Sequence, residues 1–295
     1  MEADVKELMA KVGKIRILTN KLIDDQLSGD YHSTFKGQGV EFDEVRPYIA
    51  GDDVRAIDWN VTARTGIPYI KRYAEERELT ILFMVDVSGS QIYGSTDRSK
   101  AELAAEVTAL LALTAIRNQD KIGLILFSDE IVKFLPPRKG RDSVMRLVRE
   151  VLAASDSSRG GTDISGALKF LNGVQKRRSV VFLVSDFLGG GGYEKLLKAA
   201  SRHHDVVCVA VEDPSESALP DVGLVELEDP ESGELMLVDT SSKKVREIFS
   251  LRAKTEREEL KHFFVKSAID AIYVSTDKPY IDEVRSLFKR RAVKR

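Results

Sequence analysis

The chain holds one cysteine in 295 residues, Cys208, so it forms no internal disulfide and offers no cysteine-rich zinc site. Cys208 sits in the run DVVCVAV, where a small buried hydrophobe is expected. Charge of one sign is also lacking: 45 basic against 47 acidic residues leave a formal net charge of −2. That balance argues against a general nucleic-acid binder, whose basic face shows as excess charge. Long hydrophobic runs are missing too. Stretches such as ILFMV at 81–85 and VVFLV at 180–184 are five residues long, whereas a membrane-spanning helix needs about 20. The N-terminal MEADVKELMAKVGK carries charges throughout and no apolar core of a secretory signal, so the chain reads as cytoplasmic. No G-x-x-x-x-G-K-[ST] loop and no G-x-S-x-G elbow is present, which removes a Walker-type nucleotide site and a hydrolase serine. The histidines, His32, His203, His204 and His262, have no zinc-ligand spacing. His203 and His204 read as a contact at a helix C-terminus.

From residue 80 onward, short β-branched runs alternate with longer amphipathic segments, as in a mostly parallel sheet with helices on both faces. The runs are TILFMVD (80–86), KIGLILFS (121–128), RSVVFLVSD (178–186), DVVCVAVE (205–212) and AIDAIYVS (268–275). Their near-continuous hydrophobicity predicts strands buried on both faces. Leu103, Val107, Leu110, Leu111 and Thr114 recur on one helix face. EIVKFL (130–135), stopped by Pro136 and Pro137, suits an antiparallel edge strand. A hairpin is expected across 222–238 around DPESGE, a helix across 242–263, and a last helix after Asp277 with Pro279 in its first turn. GGGG at 189–192 reads as a flexible loop, PPRKGR at 136–141 as an exposed one, and KRRAVKR as a solvated tail. The fold class is therefore α/β, a doubly wound, mostly parallel, Rossmann-type sheet over 79–295, preceded by an N-terminal helical/β appendage over 1–78. The appendage opens with an amphipathic helix carrying Val5, Leu8, Val12 and Ile15. Its later part, 41–78, crowds Asp52, Asp53, Arg55, Asp58 and Arg64 around Trp59. We expect this part to pack on the main domain, with Arg64 in a buried charge pair.

The strongest chemical constellation is DVSGS, which places Asp86, Ser88 and Ser90 at the carboxyl end of the first strand. Ligand sites of open α/β sheets form at such ends, near the point where strand order reverses. Oxygens at alternate positions of a turning backbone can converge on one hard cation, Mg²⁺ or Mn²⁺. Thr162 in GGTD and Asp186 in VSDF supply two further oxygen residues at comparable loop positions.

The ordered set DxSxS, Thr162 and Asp186 resembles the metal-ion-dependent adhesion site (MIDAS) of von Willebrand factor A domains. By that resemblance Ser88, Ser90 and Thr162 would ligate through hydroxyls, Asp86 and Asp186 largely through waters, and one position would stay open for a partner's carboxylate. The string EFDEVRPYIAGDDVRAIDWNVTARTGIPYIKRYAEERE (41–78), joined to DVSGS and followed by VSDF and DPESGE, closely resembles the prokaryotic family called domain of unknown function 58. Members resembling this chain are commonly encoded beside MoxR-type AAA+ ATPases, which implies such an ATPase or its client as partner. Many also carry N-terminal membrane helices, which this chain lacks.

The residues and the resemblance together favour a non-enzymatic, metal-dependent protein-interaction module. The alternative is a magnesium-dependent phosphohydrolase with Asp86 as nucleophile, weakened because positions 88 and 90 are hydroxyls where a second acid is wanted. A third reading is a scaffold with a vestigial site, against which the intact set of five oxygen residues speaks. The rim of the module would be loops 91–98, 156–162 and 187–193, adaptable through Gly and Ser, with Tyr93, Phe187 and Tyr193 as aromatic anchors.

Overall fold

The computed structural model describes residues 2–22, 27, 31, 34–35, 40–75, 78–155, 160–188, 191–228 and 233–293. His32, loop residues 156–159, the first half of the glycine run, the DPES of the hairpin turn and the tip of the basic tail lie outside them. The chain forms two compact units, one of residues 1–34 with 80–295, the other of residues 35–79. The opening helix, α1 (Glu2–Leu22), thus belongs with the main sheet and not with the segment that follows it.

In chain order the large unit runs through β3 (Thr80–Asp86), α3 (Lys100–Arg117), β4 (Lys121–Phe127), β5 (Ile131–Arg138), α4 (Arg141–Ser155) and α5 (Ile164–Val174). It continues with β6 (Val180–Ser185), α6 (Glu194–His203), β7 (Asp205–Glu212), β8 (Leu224–Glu228), β9 (Leu235–Asp239), α7 (Lys243–Lys266), β10 (Asp270–Ser275) and α8 (Ile281–Val293). Six strands make one sheet in the order β10-β7-β6-β3-β4-β5. All neighbours are parallel except β5, which runs antiparallel along β4 at the edge. The chain starts in the middle at β3, builds outward to β5, then returns to β6 on the other side of β3. Strand order therefore reverses between β3 and β6, which carry Asp86 and Ser185 at their carboxyl ends.

Every residue of β6 and all but the first of β3 and β4 are buried, as expected when helices cover both faces. Leu82, Met84, Val181 and Leu183 join Ile164, Leu168, Leu197 and Phe264 in a core on one face. On the other face α3 is buried nearly all round, so its expected single apolar stripe understates it. The reason is a second layer: α1 lies on α3 and α4 and buries Val12 and Ile15. Tyr31, just after α1, donates a hydrogen bond to Asp120 at 2.8 Å and meets Phe288 of α8 edge-on.

The edge strand reaches Arg138, past both prolines, because an edge can spare the missing donors. Gly123 is what lets it lie so close: a Cβ there would fall 2.8 Å from Leu82 Cδ2 and 2.9 Å from the Leu135 carbonyl. The last helix begins at Ile281, so Pro279 precedes it instead of sitting in its first turn. β8 and β9 form a separate antiparallel hairpin with mostly exposed side chains.

The small unit pairs β1 (Val40–Pro47) with β2 (Tyr69–Glu75) in an antiparallel ribbon and carries α2 (Trp59–Thr65). Asp58 caps α2 by accepting from the Asn60 and Val61 amides and pairs with Lys71 at 3.4 Å. Arg46 grips Asp52 through two bonds of 2.8 and 2.7 Å. The expected charge pairing thus forms, but not through Arg64. Arg64 sits exposed in the last turn of α2, and Trp59 is 70% exposed. Arg64→Ala is accordingly expected to change stability by no more than about 0.5 kcal/mol, as surface substitutions do, measurable by urea denaturation.

His204 follows α6, its amide bonding the Ala200 carbonyl at 2.7 Å and its Nδ1 lying 3.1 Å from Ser179 Oγ. Burial, with His203 and Arg178 nearby, pushes its pKa from 6.5 down to about 4. The unfolded chain therefore takes up this proton before the folded one does, and stability present above pH 6.5 is lost as pH falls toward 4. The denaturation midpoint should drop across that window in the wild type and drop less in His204→Gln.

Candidate metal site at the carboxyl edge of the sheet

The turn after β3 is a short 3-10 segment, Gly89–Ile92, whose cap is Ser88. It forms because Asp86 Oδ1 accepts from the Ser88 amide at 2.9 Å, folding the chain back over the strand end. The other oxygen of Asp86 accepts from Ser185 Oγ at 2.6 Å, tying β3 to β6 at the point of reversal. Ser88 and Ser90 then bring their hydroxyls to 3.1 Å, and Ser90 Oγ donates to Asp186 Oδ2 at 2.8 Å. Four of the five expected residues are thus linked in one buried network, Asp86 through the Ser88 amide and Ser88, Ser90 and Asp186 through side-chain oxygens.

Thr162, half-buried, lies in the loop entering α5. That loop is fastened on both sides of it: the Gly89 amide donates to the Gly160 carbonyl at 3.1 Å, and the Asp163 amide to the Ser128 carbonyl at 2.7 Å. Asp163 in turn caps α5 through the Gly166 amide. Thr162 therefore belongs to the loop beside DVSGS.

Three participants were not singled out from the sequence. Ser185 orients Asp86. Lys100, the first residue of α3 and 1% exposed, donates from Nζ to Asp186 Oδ2 at 2.7 Å and also pairs with Glu216. Glu216 closes a short 3-10 turn, Pro214–Glu216, by accepting from the Asp213 amide at 2.9 Å. One signal for Lys100 was available: a cation in the first turn of a helix opposes the macrodipole and needs a compensating anion.

Electrostatics here are those of crowded acids. Burial first, and the nearby Asp186 carboxylate second, push Asp86 up to about 6 against the hydrogen bonds it accepts from Ser185 and Ser88. For Lys100, burial works against the charged form, but Asp186 and Glu216 outweigh it and hold the pKa above its ordinary value. Phe187 adopts a left-handed φ of 57° immediately after Asp186, a conformation unusual for a bulky residue. It helps turn the Leu188 amide onto Asp186 Oδ1, at 3.1 Å.

Two rim expectations need correcting. Phe187 and Tyr193 are buried, packed against Phe264 and Phe263 of α7, so they serve the core and not an exposed rim. Among the described residues of the rim loops, Ile92, Tyr93 and Leu188 are the exposed apolar side chains. Nor is loop 91–98 adaptable. Asp213 accepts from the Ser95 amide and hydroxyl, and Arg98 bonds the carbonyls of Ser275, Thr276 and Lys278.

The donor set can be tested against a divalent ion. Adjacent oxygens of an octahedron with bonds of about 2.1 Å lie about 3.0 Å apart. The Ser88–Ser90 and Ser90–Asp186 separations, 3.1 and 2.8 Å, fit that edge. Among the described residues no three His, Cys, Asp or Glu side chains group as a metal site. The set is therefore hard, rich in hydroxyls and low in charge, fitting Mg²⁺ or Mn²⁺ better than Zn²⁺.

A family model described as "Protein of unknown function DUF58" matches residues 44–259. The chain belongs to the DUF58 family. Uncharacterized proteins of Mycobacterium tuberculosis and Mycobacterium bovis are similar to this DUF58 chain, each 29% identical over 98% of it and 92% of their own length. Similar solved structures include the conserved hypothetical protein BatB from Bacteroides thetaiotaomicron, 19% identical over 73% of this chain and 99% of that one, with a TM-score of 0.47. Another is an aerotolerance-related membrane protein from Bacteroides fragilis, 16% identical over 74% and 100%, with a TM-score of 0.49. The VWA domain of SpRpn10 is 12% identical over 70% and 93%, with a TM-score of 0.38. The α/β assignment of this DUF58 protein rests on its own strand order.

Asp213 is the clasp of this edge. It accepts from Ser95, Ser215 and Thr276, bonds that hold its pKa well below the usual carboxylate range despite the opposing effect of burial. Asp213→Ala leaves these donors unpaired and should cost about 2–4 kcal/mol, read as a lowered denaturation midpoint.

Proposed function

We propose that the protein is a non-enzymatic, divalent-cation-dependent interaction module of the cytoplasm. It works with a MoxR-type AAA+ ATPase in assembling or remodelling other proteins. The observation that carries this reading is the buried linkage at the reversal point of the sheet, Asp86 to the Ser88 amide and Ser88 through Ser90 to Asp186 by their side-chain oxygens, the last two spacings suiting one hard cation. The hydroxyls of Ser88, Ser90 and Thr162 and the carboxylates of Asp86 and Asp186 would hold Mg²⁺ or Mn²⁺. The bound ion supplies a coordination position for a carboxylate of the partner protein. Ile92, Tyr93 and Leu188 provide exposed apolar surface around it.

The ATPase partnership rests on the resemblance of residues 41–78 and DVSGS to family members encoded beside MoxR-type ATPases; the sequence itself carries no Walker A loop. No helix among the described residues is long and apolar enough to cross a membrane. The phosphohydrolase alternative is not favoured: Asp86 is buried, and both its oxygens already accept hydrogen bonds, so it makes a poor nucleophile.

Calorimetry should find weak Mn²⁺ binding by the wild type, weakened at least about tenfold, or about 1.4 kcal/mol, in Asp86→Ala and less in Ser88→Ala. Both variants should keep the wild-type circular dichroism, since Asp86 ends β3 and Ser88 lies in the turn after it, outside the apolar core. Both are expected to melt earlier than the wild type. Undiminished Mn²⁺ binding by Asp86→Ala would defeat the metal assignment. Capture of the MoxR-type ATPase or its client should fail in chelator and in Thr162→Ala. A complex that survives both is docked elsewhere.

A further inference from the structure

Among the described residues Lys100 is the one lysine buried to 1% exposure. Its ammonium is buried, placed against the helix macrodipole, and shared between Asp186 and Glu216. Asp186 Oδ2, the oxygen that receives it, is the one that also accepts from Ser90. Glu216 cannot easily move away, being held by the Asp213 amide in a turn that Asp213 clasps to two other elements. Two carboxylates, Asp186 and Glu216, therefore meet this one ammonium, and the carboxyl of Asp86 lies close to that of Asp186.

We infer that Lys100 sets the charge of the cation site and so limits its affinity for divalent ions. This rests on the metal reading above and adds a residue that touches no expected partner. The physical argument is Coulombic. An ammonium one hydrogen bond from a liganding carboxylate neutralises part of its charge and repels a second cation nearby, in a buried place where screening is weak. Glu216 opposes it by drawing the ammonium off Asp186. Lys100 is thus a positioning and charge-setting residue that lies outside the ligand set.

The test is a charge cycle read by Mn²⁺ titration of the full chain, with electron paramagnetic resonance of free Mn²⁺ as the signal and thermal melts as the check on folding. Lys100→Met adds one net negative charge and should bind Mn²⁺ at least tenfold more tightly than the wild type. Glu216→Gln removes one and should bind at least several-fold more weakly. The double variant Lys100→Met/Glu216→Gln restores the wild-type charge and should return to within about threefold of wild-type affinity. A purely structural role for Lys100 gives a different order, with both Lys100 variants weaker than the wild type. Wild-type binding with no gain in Lys100→Met overturns this inference alone. Absence of Mn²⁺ binding from every variant and the wild type overturns it together with the metal reading. Should Lys100→Met fail to fold, Glu216→Gln decides: binding as tight as the wild type overturns the inference, and weaker binding supports it.

Discussion

Asp186 Oδ2 accepts at once from a serine that follows β3 and from a lysine that opens α3, and this shared acceptor fixes the geometry of the carboxyl edge. It exists because strand order reverses between β3 and β6, the place where open α/β sheets form a crevice. Polar groups in such a crevice are shielded from bulk water, so each must find a partner within the protein. The network that results runs from Ser185 through Asp86 to Ser88, Ser90, Asp186, Lys100 and Glu216. Removing any member leaves a buried charge or donor unmatched, which is costlier than losing an exposed contact.

A second constraint acts from outside the site. Asp213 and Arg98 bind the segment between DVSGS and α3 to the ends of β7 and β10. The start of α3, and with it Lys100, is therefore fixed by two strands that contribute no oxygen to the candidate metal shell. Buried nearly all round, α3 can adjust only if α1, α4 and the sheet adjust with it.

Much of this was legible in the sequence. The strands announced themselves because burial on both faces demands unbroken apolar runs, and DVSGS and VSDF sit where those runs stop. Thr162 and Asp186 could be added because loops entering helices and ending strands recur at fixed places in such folds. For Lys100 the sequence shows only a cation in a helix's first turn; its pairing with Glu216 is not legible, because it spans 116 residues and depends on which strands lie side by side. Phe187 and Tyr193 looked like loop aromatics because their burial comes from α7, contributed from far along the chain. Arg64 was misjudged because charge density in a short segment does not tell which residues a seven-residue helix turns outward. That α1 clusters with the large unit is not legible, because the surface it covers, on α3 and α4, is itself distant in sequence.

The confinement of Lys100 has a kinetic side. A side chain held between two carboxylates at the head of a helix with almost no free surface has few alternative rotamers within reach. A ligand arriving at this edge meets groups already in place and need not wait for loop 91–98 to order itself. Its capture rate is then governed by diffusion and by the local field instead of by a slow rearrangement. Differences among ligands would be expressed chiefly in how long each remains.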